Sequence, residues 1–329
     1  MGSVSEGSHP QRVSIIGAGV IGGAWAARWV LRGSDVAIYD PSAETERIVT
    51  DVLDNARYAW ERLGTTPRNE GVLAFAESLG EAVDGAVLIQ ESAPENLDSK
   101  RSIFAQIESS ADKGALIASS TSGLLPSDLQ DEMTHPERLV VGHPFNPVYL
   151  IPMVEVVGGK RTSADSISAA LSFYEAAGMS PLHVRVEIDA FIADRLLEAV
   201  WREALWLVKD GVATTQEIDD VIRLGFGLRW AQMGLFENYR IAGGEGGMEH
   251  FIRQFGPSLS WPWSKLTDTP ELTDELVTRI GDQSDAQSGH YSIRELERIR
   301  DNNLVDMLLA LESNQWGAGL AVRKLRDKS

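Results

Sequence analysis

Proton transfer is the chemistry that one histidine of this chain is best placed to perform. His143 follows an apolar run and opens the segment His143-Pro-Phe-Asn-Pro147, at the point where a β-strand is predicted to end. Histidine suits general base catalysis because its ordinary pKa lies near neutrality. The chain has six histidines, and none of the others has a site-like context. His143 is therefore the predicted base for a hydroxyl proton.

A carboxylate and a hydroxyl are predicted to assist this histidine. Glu155 lies inside the apolar run Met153-Val-Glu-Val-Val157, where a carboxylate is costly to bury without a partner. If this strand lies beside the strand of His143, Glu155 can orient the imidazole ring and stabilise its protonated form. Ser122 ends another predicted strand and can hydrogen-bond a substrate oxygen. The alternative interpretations are a structural histidine and a turn serine.

A strand, a glycine turn and a helix are predicted at the start of the sequence. The run Val13-Ser-Ile-Ile16 is followed by Gly17-Ala-Gly-Val-Ile-Gly22 and then by an Ala-rich helical pattern. In a G-x-G-x-x-G turn the first glycine permits the turn, the second lets the backbone approach a pyrophosphate, and the third lets the helix lie close to the strand. The helix N-terminus adds free N–H groups. The predicted cradle consists of Gly17, Ala18, Gly19, Val20, Ile21 and Gly22.

An acidic residue indicates which dinucleotide the turn would bind. The β pattern Asp35-Val-Ala-Ile-Tyr39 is followed directly by Asp40. An acid about twenty residues after the glycine turn hydrogen-bonds the adenosine ribose of NAD and repels the extra phosphate of NADP. NAD is therefore the predicted cofactor.

Strands alternating with helices continue to about residue 187 and predict a doubly wound, mostly parallel sheet. We expect residues 12–187 to form a Rossmann-type NAD-binding domain and residues 188–329 to form a mostly helical domain for substrate binding and dimerisation. The polar segment from Met1 to Gln11 is expected to be a disordered lead-in. In such sheets ligands bind at the carboxyl ends of the strands, so the strand-end residues should face one crevice.

Composition narrows the class of protein. The net charge of −18 argues against nucleic acid or an anionic membrane as a partner. The chain has no cysteine, which excludes thiol catalysis and disulfides and suits a reducing compartment. No apolar run is long enough to span a bilayer, and no signal peptide or metal-ligand constellation is evident. We expect a cytoplasmic protein without a metal.

Several motifs, taken in order along the chain, resemble those of the 3-hydroxyacyl-CoA dehydrogenase family. They are the glycine turn, Pro94-Glu-Asn96, Ser119-Ser-Thr-Ser122, His143-Pro-Phe-Asn-Pro147, Val154-Glu-Val156 and Phe191-Ile-Ala-Asp-Arg-Leu196. The resemblance implies that His143 and Glu155 form the catalytic dyad and that Ser122 assists. It also implies that Glu95 and Lys100 lie near the nicotinamide half of NAD. By the same resemblance the protein is a homodimer assembled through its helical C-terminal domain.

Departures from the family pattern bear on the substrate. Asp194 occupies a position where the family usually has Asn, and Gly225–Phe236 replaces the usual Gly-x-Gly-x-Pro-Met-Gly-Pro run. This version, with Tyr239-Arg-Ile-Ala-Gly-Gly244 and Trp261-Pro-Trp-Ser-Lys-Leu266, resembles the branch that acts on small, free hydroxy acids. The resemblance implies L-carnitine, a zwitterionic 3-hydroxy acid, as substrate and 3-dehydrocarnitine as product.

The residues of the second half are compatible with such a substrate. A trimethylammonium group is held well by aromatic faces, each worth about 0.5–2 kcal/mol, and the chain has nine tryptophans, mostly in this half. Asp194 would favour a cation, and Arg229 or Arg195 would hold the carboxylate. The predicted substrate contacts are Phe145, Tyr149, Asp194, Arg229 and Trp230.

Other substrates and another class of protein stay open. L-gulonate or 3-hydroxybutyrate would suit the same chemistry. A 3-hydroxyacyl-CoA thioester is less compatible with the acidic net charge, which offers little to the CoA phosphates. A non-catalytic NAD-binding structural protein is the alternative of a different class. The presence of both His143 and Glu155 argues against it.

Overall fold

The computed structural model describes residues 12–242 apart from 66 and 68, residues 247–255, 290–315 and 318–327, and scattered positions between 262 and 283. The predicted lead-in lies outside the described residues. So do most of the Trp261–Leu266 motif and the two glycines that end the Tyr239–Gly244 motif.

Eight strands form one sheet in the order β3-β2-β1-β4-β5-β6-β7-β8. The first six strands in this order are parallel, β7 runs antiparallel to β6, and β8 runs parallel to β7. This confirms the predicted mostly parallel, doubly wound sheet. The strands are β1 Arg12–Ile16, β2 Asp35–Tyr39, β3 Leu73–Phe75, β4 Leu88–Glu91, β5 Leu116–Ser119, β6 Leu139–Pro144, β7 Met153–Gly158 and β8 Ser180–Val184.

Helices cover both faces of this sheet, so its inner strands are apolar on both sides. Val13 and Ile15 of β1 join one core cluster with helices α1, α2 and α6, whereas Ile16 joins another with α3, α4 and α5. Successive strand residues point to opposite faces, so the two clusters occupy the two faces. The helices are α1 Val20–Leu31, α2 Thr45–Arg62, α3 Leu79–Val83, α4 Leu97–Ser110, α5 Pro126–Leu129 and α6 Ala164–Ala176.

The rest of the described chain is helical. Its helices are α7 Ala193–Lys209, α8 Thr215–Val221, α9 Gly227–Ala242, α10 Gly247–Phe255, α11 Ile293–Ser313 and α12 Gly319–Asp327, with a π-helical turn at Ile222–Phe226. The start of α8 is fixed by a capping box in which Thr214 and Glu217 exchange hydrogen bonds. Ser292 and Glu295 form the same reciprocal pair at the start of α11, as the sequence predicts.

Three elements differ from what the sequence pattern predicts. Apolar residues at helical spacing predict a helix over residues 189–209, but α7 begins at Ala193, because Ala190 and Phe191 have the positive φ angles of 58° and 49° that interrupt a helix. The short strand β3 was not expected, since it is only three residues long and lies at a partly exposed edge of the sheet. The strand expected near Leu182–Val186 begins at Ser180.

The described chain forms two compact units. The first comprises the described residues of 12–192 and 298–327, and the second comprises those of 193–297. The end of the chain thus packs with the sheet, through bonds such as Arg32 Nη1 to Leu325 O at 3.2 Å and Arg326 Nε to Leu63 O at 3.0 Å. The division expected at residue 188 stays a prediction, but residues 298–327 do not belong to the second compact unit.

Among the described residues, no helix has the length and apolarity needed to cross a membrane. Within the same residues, His, Asp and Glu side chains form no cluster of three or more that could hold a metal ion.

Candidate active site

The antiparallel pairing of β6 with β7 brings His143 and Glu155 together. The two residues are directly opposite each other in the register, and His143 Nδ1 lies 2.9 Å from Glu155 Oε2. The second oxygen, Oε1, accepts a hydrogen bond from Ile192 N at 3.0 Å. Both side chains are buried, with 7% of the histidine and 1% of the glutamate exposed. A carboxylate held in this way fixes the imidazole orientation and stabilises its protonated form.

Two aromatic rings flank the histidine. The ring centroids of Phe145 and Phe191 lie 5.1 Å and 5.7 Å from that of His143. The helical spacing of Phe191 with Leu196, Val200 and Leu207 predicts that Phe191 lies on the apolar side of a helix, and this prediction is wrong. Phe191 precedes α7, has a positive φ angle and is fully buried. This backbone conformation lets the residue turn into the core instead of continuing a helix.

Glu95 holds the loop that carries Ser122. Its Oε1 accepts hydrogen bonds from Thr121 Oγ1, from Ser122 N at 3.1 Å and from Gly123 N at 3.2 Å. Partial burial by itself would raise the pKa of Glu95, but these bonds and the positive charge of Lys100 outweigh it and lower the pKa. Ser122 itself is exposed. Glu95 and Ser122, predicted from separate motifs, therefore belong to one local structure.

Lys100 is paired with a carboxylate that sequence reasoning missed. Its Nζ lies 2.7 Å from Glu91 Oε1 and 3.5 Å from Glu95 Oε2, and donates to Ala93 O at 3.0 Å. Burial raises the pKa of Glu91 against the opposing effect of Lys100 and Ser119. The signal that could have identified Glu91 is its position at the end of the apolar run Ala86-Val-Leu-Ile-Gln90. A buried acid there needs a cation nearby.

A buried hydrogen-bond network fixes the strand ends relative to one another. Ser120 Oγ accepts from Trp25 Nε1 at 3.2 Å and from Gln90 Nε2 at 2.8 Å, and lies 2.9 Å from Ser92 Oγ. Gln90 Oε1 in turn accepts from Tyr174 OH at 2.7 Å. Burial raises the pKa of this tyrosine, so it remains a donor. Helices α1 and α6 and strands β4 and β5 are thereby joined behind the site.

The glycine turn has the contacts that a dinucleotide cradle requires. A Cβ at Gly22 would lie 1.8 Å from Gly17 O, and one at Gly17, whose φ is 97°, would lie 2.6 Å from Ser92 O. A Cβ at Gly19 would meet nothing within 4 Å, so the backbone faces open space there. Gly19 is also the N-cap of α1 and offers no side-chain cap. The N–H groups of this helix end therefore fit a pyrophosphate.

Asp40 supports the same turn. Its Oδ2 accepts from Ala18 N at 2.8 Å and its Oδ1 from Ser42 N at 2.9 Å. Each carboxylate oxygen has two lone pairs and can accept a further hydrogen bond. Asp40 can therefore fix the backbone of the cradle while it binds the hydroxyls of a ribose. The residues of the first unit fit NAD at this point.

The predicted substrate contacts have different surroundings. Phe145 lies beside His143, but the ring of Tyr149 is buried in the core and its hydroxyl donates to Asp301. This arrangement favours a structural role for Tyr149. Asp194, Arg229 and Trp230 belong to the second unit, together with the exposed Arg195. There Trp230 packs on Phe226 with ring centroids 4.5 Å apart.

Comparison with known proteins relates the chain to one family of dehydrogenases. Residues 12–188 match the family described as 3-hydroxyacyl-CoA dehydrogenase, NAD binding domain, and residues 191–279 match its C-terminal domain. A Ruegeria pomeroyi protein named L-carnitine dehydrogenase/betainyl-CoA thioesterase is 60% identical over 312 residues, covering 94% of this chain and 64% of the relative. A Mesorhizobium japonicum protein named L-carnitine dehydrogenase is 55% identical over 315 residues, covering 94% and 86%.

Several of these relatives are longer proteins. The chain spans 63–65% of the length of three relatives that carry the double name. Among solved structures, the NAD⁺-dependent dismutase 5-formyl-3-hydroxy-2-methylpyridine 4-carboxylic acid 5-dehydrogenase is similar, with a TM-score of 0.82 and 28% identity. That match covers 92% of this chain and 99% of the neighbour.

Proposed function

The chain belongs to the 3-hydroxyacyl-CoA dehydrogenase family, and from that premise we propose that it oxidises the 3-hydroxyl group of L-carnitine to 3-dehydrocarnitine with NAD. The observation that carries the chemistry is the buried His143–Glu155 pair at the carboxyl edge of the sheet. The substrate is supported by the names of relatives that share 55% and 60% of their aligned residues with this chain.

The residues of this chain would handle the proton of the reaction. Bound NAD supplies the acceptor for the hydride that leaves the carbinol carbon. Because Nδ1 of His143 is bonded to Glu155, Nε2 is the nitrogen that receives the hydroxyl proton. Glu155 stabilises the imidazolium that results. Ser122 donates a second hydrogen bond to the substrate oxygen and orients it toward the histidine.

The rest of the proposed site distinguishes the two ends of L-carnitine. Phe145 is partly buried and offers an aromatic face close to the base, where a cation–π contact is possible. Asp194 would favour the trimethylammonium group, Trp230 is a candidate aromatic contact for it, and Arg229 or Arg195 would hold the carboxylate. Glu95 is assigned to the nicotinamide side of the cofactor. Lys100 is assigned there through Glu95, because only 1% of the lysine side chain is exposed and its Nζ lies 3.5 Å from Glu95 Oε2.

A spectrophotometric assay tests the proposed function. Purified protein is mixed with NAD and L-carnitine, and NADH absorbance is followed against D-carnitine, L-gulonate and 3-hydroxybutyrate at equal concentration. We expect NADH to form with L-carnitine and much more slowly with its enantiomer, because the base acts on one face of the carbinol carbon. If L-carnitine produces no NADH, the proposed substrate is wrong. Turnover of another hydroxy acid would then identify the alternative.

A matched pair of glycine variants tests the cofactor site. Gly19→Ala adds a methyl group where the backbone faces open space, so we expect normal folding and NADH affinity reduced about tenfold. Gly22→Ala places a methyl group against Gly17 O, so we expect loss of thermal stability. Fluorescence titration of NADH and thermal denaturation separate the two effects. A Gly19→Ala protein with unchanged NADH affinity would contradict the assignment of the pyrophosphate to this turn.

We propose that the protein is a homodimer assembled through its second unit. Helix α7 and the π-helical turn at Ile222–Phe226 expose large apolar side chains, including Leu196, Trp201 and Leu224, with exposed fractions of 59%, 58% and 72%. Large apolar side chains left exposed in this number are typical of interaction surfaces. Light scattering of the purified protein should give the mass of two chains, and a monomer at all concentrations would refute the proposal.

A further inference from the structure

Glu91 collects hydrogen bonds from three different segments of the first unit. Its Oε1 accepts from Ala93 N at 2.6 Å and from Lys100 Nζ at 2.7 Å, and its Oε2 accepts from Ser119 Oγ at 2.6 Å. Ala93 lies in the loop after β4, Lys100 lies on α4, and Ser119 ends β5. One carboxylate thus joins a helix to the ends of two neighbouring strands.

The loops that follow these two strands are both attached to this carboxylate. Lys100 Nζ also donates to Ala93 O at 3.0 Å and lies 3.5 Å from Glu95 Oε2. Glu95 in turn accepts the backbone N–H groups of Ser122 and Gly123. Displacement of Glu91 would therefore move the loop of residues 92–96 directly and the loop of residues 120–123 through Ser119 and through Lys100 with Glu95.

Burial separates Glu91 from any ligand. The exposed fraction of its side chain is 0% and that of Lys100 is 1%, whereas 42% of Glu95 is exposed. Glu91 can therefore influence a reaction only through the groups that it holds. A buried ion pair contributes little net stability, because desolvation of both charges offsets their attraction. The effect of Glu91 on the positions of the two loops is therefore the one to test by experiment.

We propose that Glu91 is a positioning residue for the reaction. It holds residues 92–96 and 120–123 in the conformation in which Glu95 faces the nicotinamide side of NAD and Ser122 faces the substrate oxygen. This inference rests on the proposed function for the roles of Glu95 and Ser122. The attachment of both loops to Glu91 comes from the structure alone.

The test compares Glu91→Gln with the wild-type protein in two assays. NADH binding is titrated by fluorescence without substrate, and L-carnitine turnover is expressed per NADH-binding site. We expect kcat per site to fall about 10–100-fold, since small misplacements of positioning groups have effects of this size, and the NADH dissociation constant to rise about tenfold. Turnover per NADH-binding site excludes unfolded molecules from the comparison. Substitution of a residue that only stabilises the fold would therefore leave kcat per site unchanged.

Glu187→Gln provides a matched control. Glu187 also accepts a backbone N–H and a hydroxyl, from Ser127 at 3.0 Å and 2.5 Å. It follows β8, which runs parallel to β7 and therefore ends at the opposite edge of the sheet from His143. We expect Glu187→Gln to keep the wild-type kcat per site and NADH affinity. If Glu91→Gln gives the same values as this control, the proposal is overturned.

If Glu91→Gln does not fold, Ser119→Ala removes a single hydrogen bond from Glu91, and kcat per site should still fall about tenfold. An unchanged kcat in Ser119→Ala would then overturn the proposal.

If the wild-type protein does not oxidise L-carnitine, the NADH titration without substrate still tests the positioning role of Glu91. A Glu91→Gln protein with the wild-type dissociation constant overturns the positioning role, and a raised constant supports it independently of the substrate.

Discussion

Two buried acid–base pairs in the first unit have similar geometry and different surroundings. His143 Nδ1 and Glu155 Oε2 are 2.9 Å apart, and Lys100 Nζ and Glu91 Oε1 are 2.7 Å apart. His143 lies near the end of β6, and its imidazole ring is flanked by the rings of Phe145 and Phe191. The ammonium group also donates to Ala93 O and is nearly inaccessible, with 1% of its side chain exposed.

The comparison shows that the chemical nature of the basic group determines the role of a buried pair. The distance between nitrogen and oxygen, which is similar in both pairs, does not. An imidazole ordinarily exchanges its proton near neutral pH, whereas an ammonium group keeps its charge there. The pair of His143 and Glu155 therefore suits proton transfer. The pair of Lys100 and Glu91 suits the fixing of loops. Substitutions in the two pairs should accordingly affect different measured quantities.

The largest expected effect is that of His143→Ala on turnover. Loss of the general base should lower kcat about a thousandfold, which corresponds to about 4 kcal/mol, while NADH affinity stays near the wild-type value. Steady-state kinetics and NADH titration measure the two quantities. His183→Ala, at an exposed position on β8, is the control and should be fully active. Turnover that survives His143→Ala would show that another group is the base.

The next effect is on stability. Lys100→Met leaves the buried Glu91 carboxylate without its cation, which should lower the free energy of unfolding by about 3 kcal/mol. Urea denaturation measures this loss. The double variant Glu91→Gln/Lys100→Met should recover part of it, because no unpaired charge remains.

Lys113→Met is the control for this substitution. Lys113 is exposed, so its removal should change the free energy of unfolding by less than about 0.5 kcal/mol. A Lys100→Met protein that is as stable as the Lys113→Met protein would contradict the view that the Lys100–Glu91 pair is a fixed structural unit.

Glu155→Gln should have a smaller effect than His143→Ala. The amide keeps the size of the side chain but cannot stabilise the imidazolium by charge, so kcat should fall about a hundredfold, or about 2.7 kcal/mol. The NADH dissociation constant should not change. If Glu155→Gln lowered NADH affinity and left kcat unchanged, the two pairs would have exchanged the roles assigned to them.

The same comparison shows what sequence reasoning can find. The cost of burying an acid in an apolar run pointed to Glu155, whose strand follows the strand of His143 after a short loop. The argument applies equally to Glu91, but that residue ends its strand and is followed by Ser92-Ala-Pro94, a pattern typical of a loop. Its partner Lys100 lies on the following helix, and only the folded chain brings the two together. The alternation of strands and helices predicted the sheet correctly, because apolar residues dominate the buried strands.

Contacts between distant parts of the chain could not be predicted. Tyr149 follows His143 closely in sequence, and its assignment as a substrate contact stays a prediction. Its hydroxyl donates to Asp301, which is 152 residues away. No local pattern indicates that residues 298–327 return to the first unit, since α11 and α12 have ordinary amphipathic sequences. The packing of Phe191 against His143 also depends on a positive φ angle that a phenylalanine rarely adopts.

The smallest expected effect concerns Glu95, which connects Lys100 to the loop of Ser122. Its pKa is lowered from the ordinary value of 4.5, because hydrogen bonds from Thr121, Gly123 and Ser122 and the charge of Lys100 outweigh partial burial. An acid with a lowered pKa stabilises the fold above its ordinary pKa, and this contribution is lost as the pH falls through the pKa of the folded state.

Glu95→Gln should therefore lower the free energy of unfolding at neutral pH by less than about 1 kcal/mol, since 42% of the side chain is exposed and solvent screens the charge. The difference from wild type should shrink as the pH falls below 4.5. Urea denaturation at neutral and acidic pH measures it, with the exposed, helix-capping Glu217→Gln as a reference for a carboxylate outside the site. A difference that grows toward acid pH would mean that the charged carboxylate destabilises the loop, and Glu95 could not then be the link between Lys100 and Ser122.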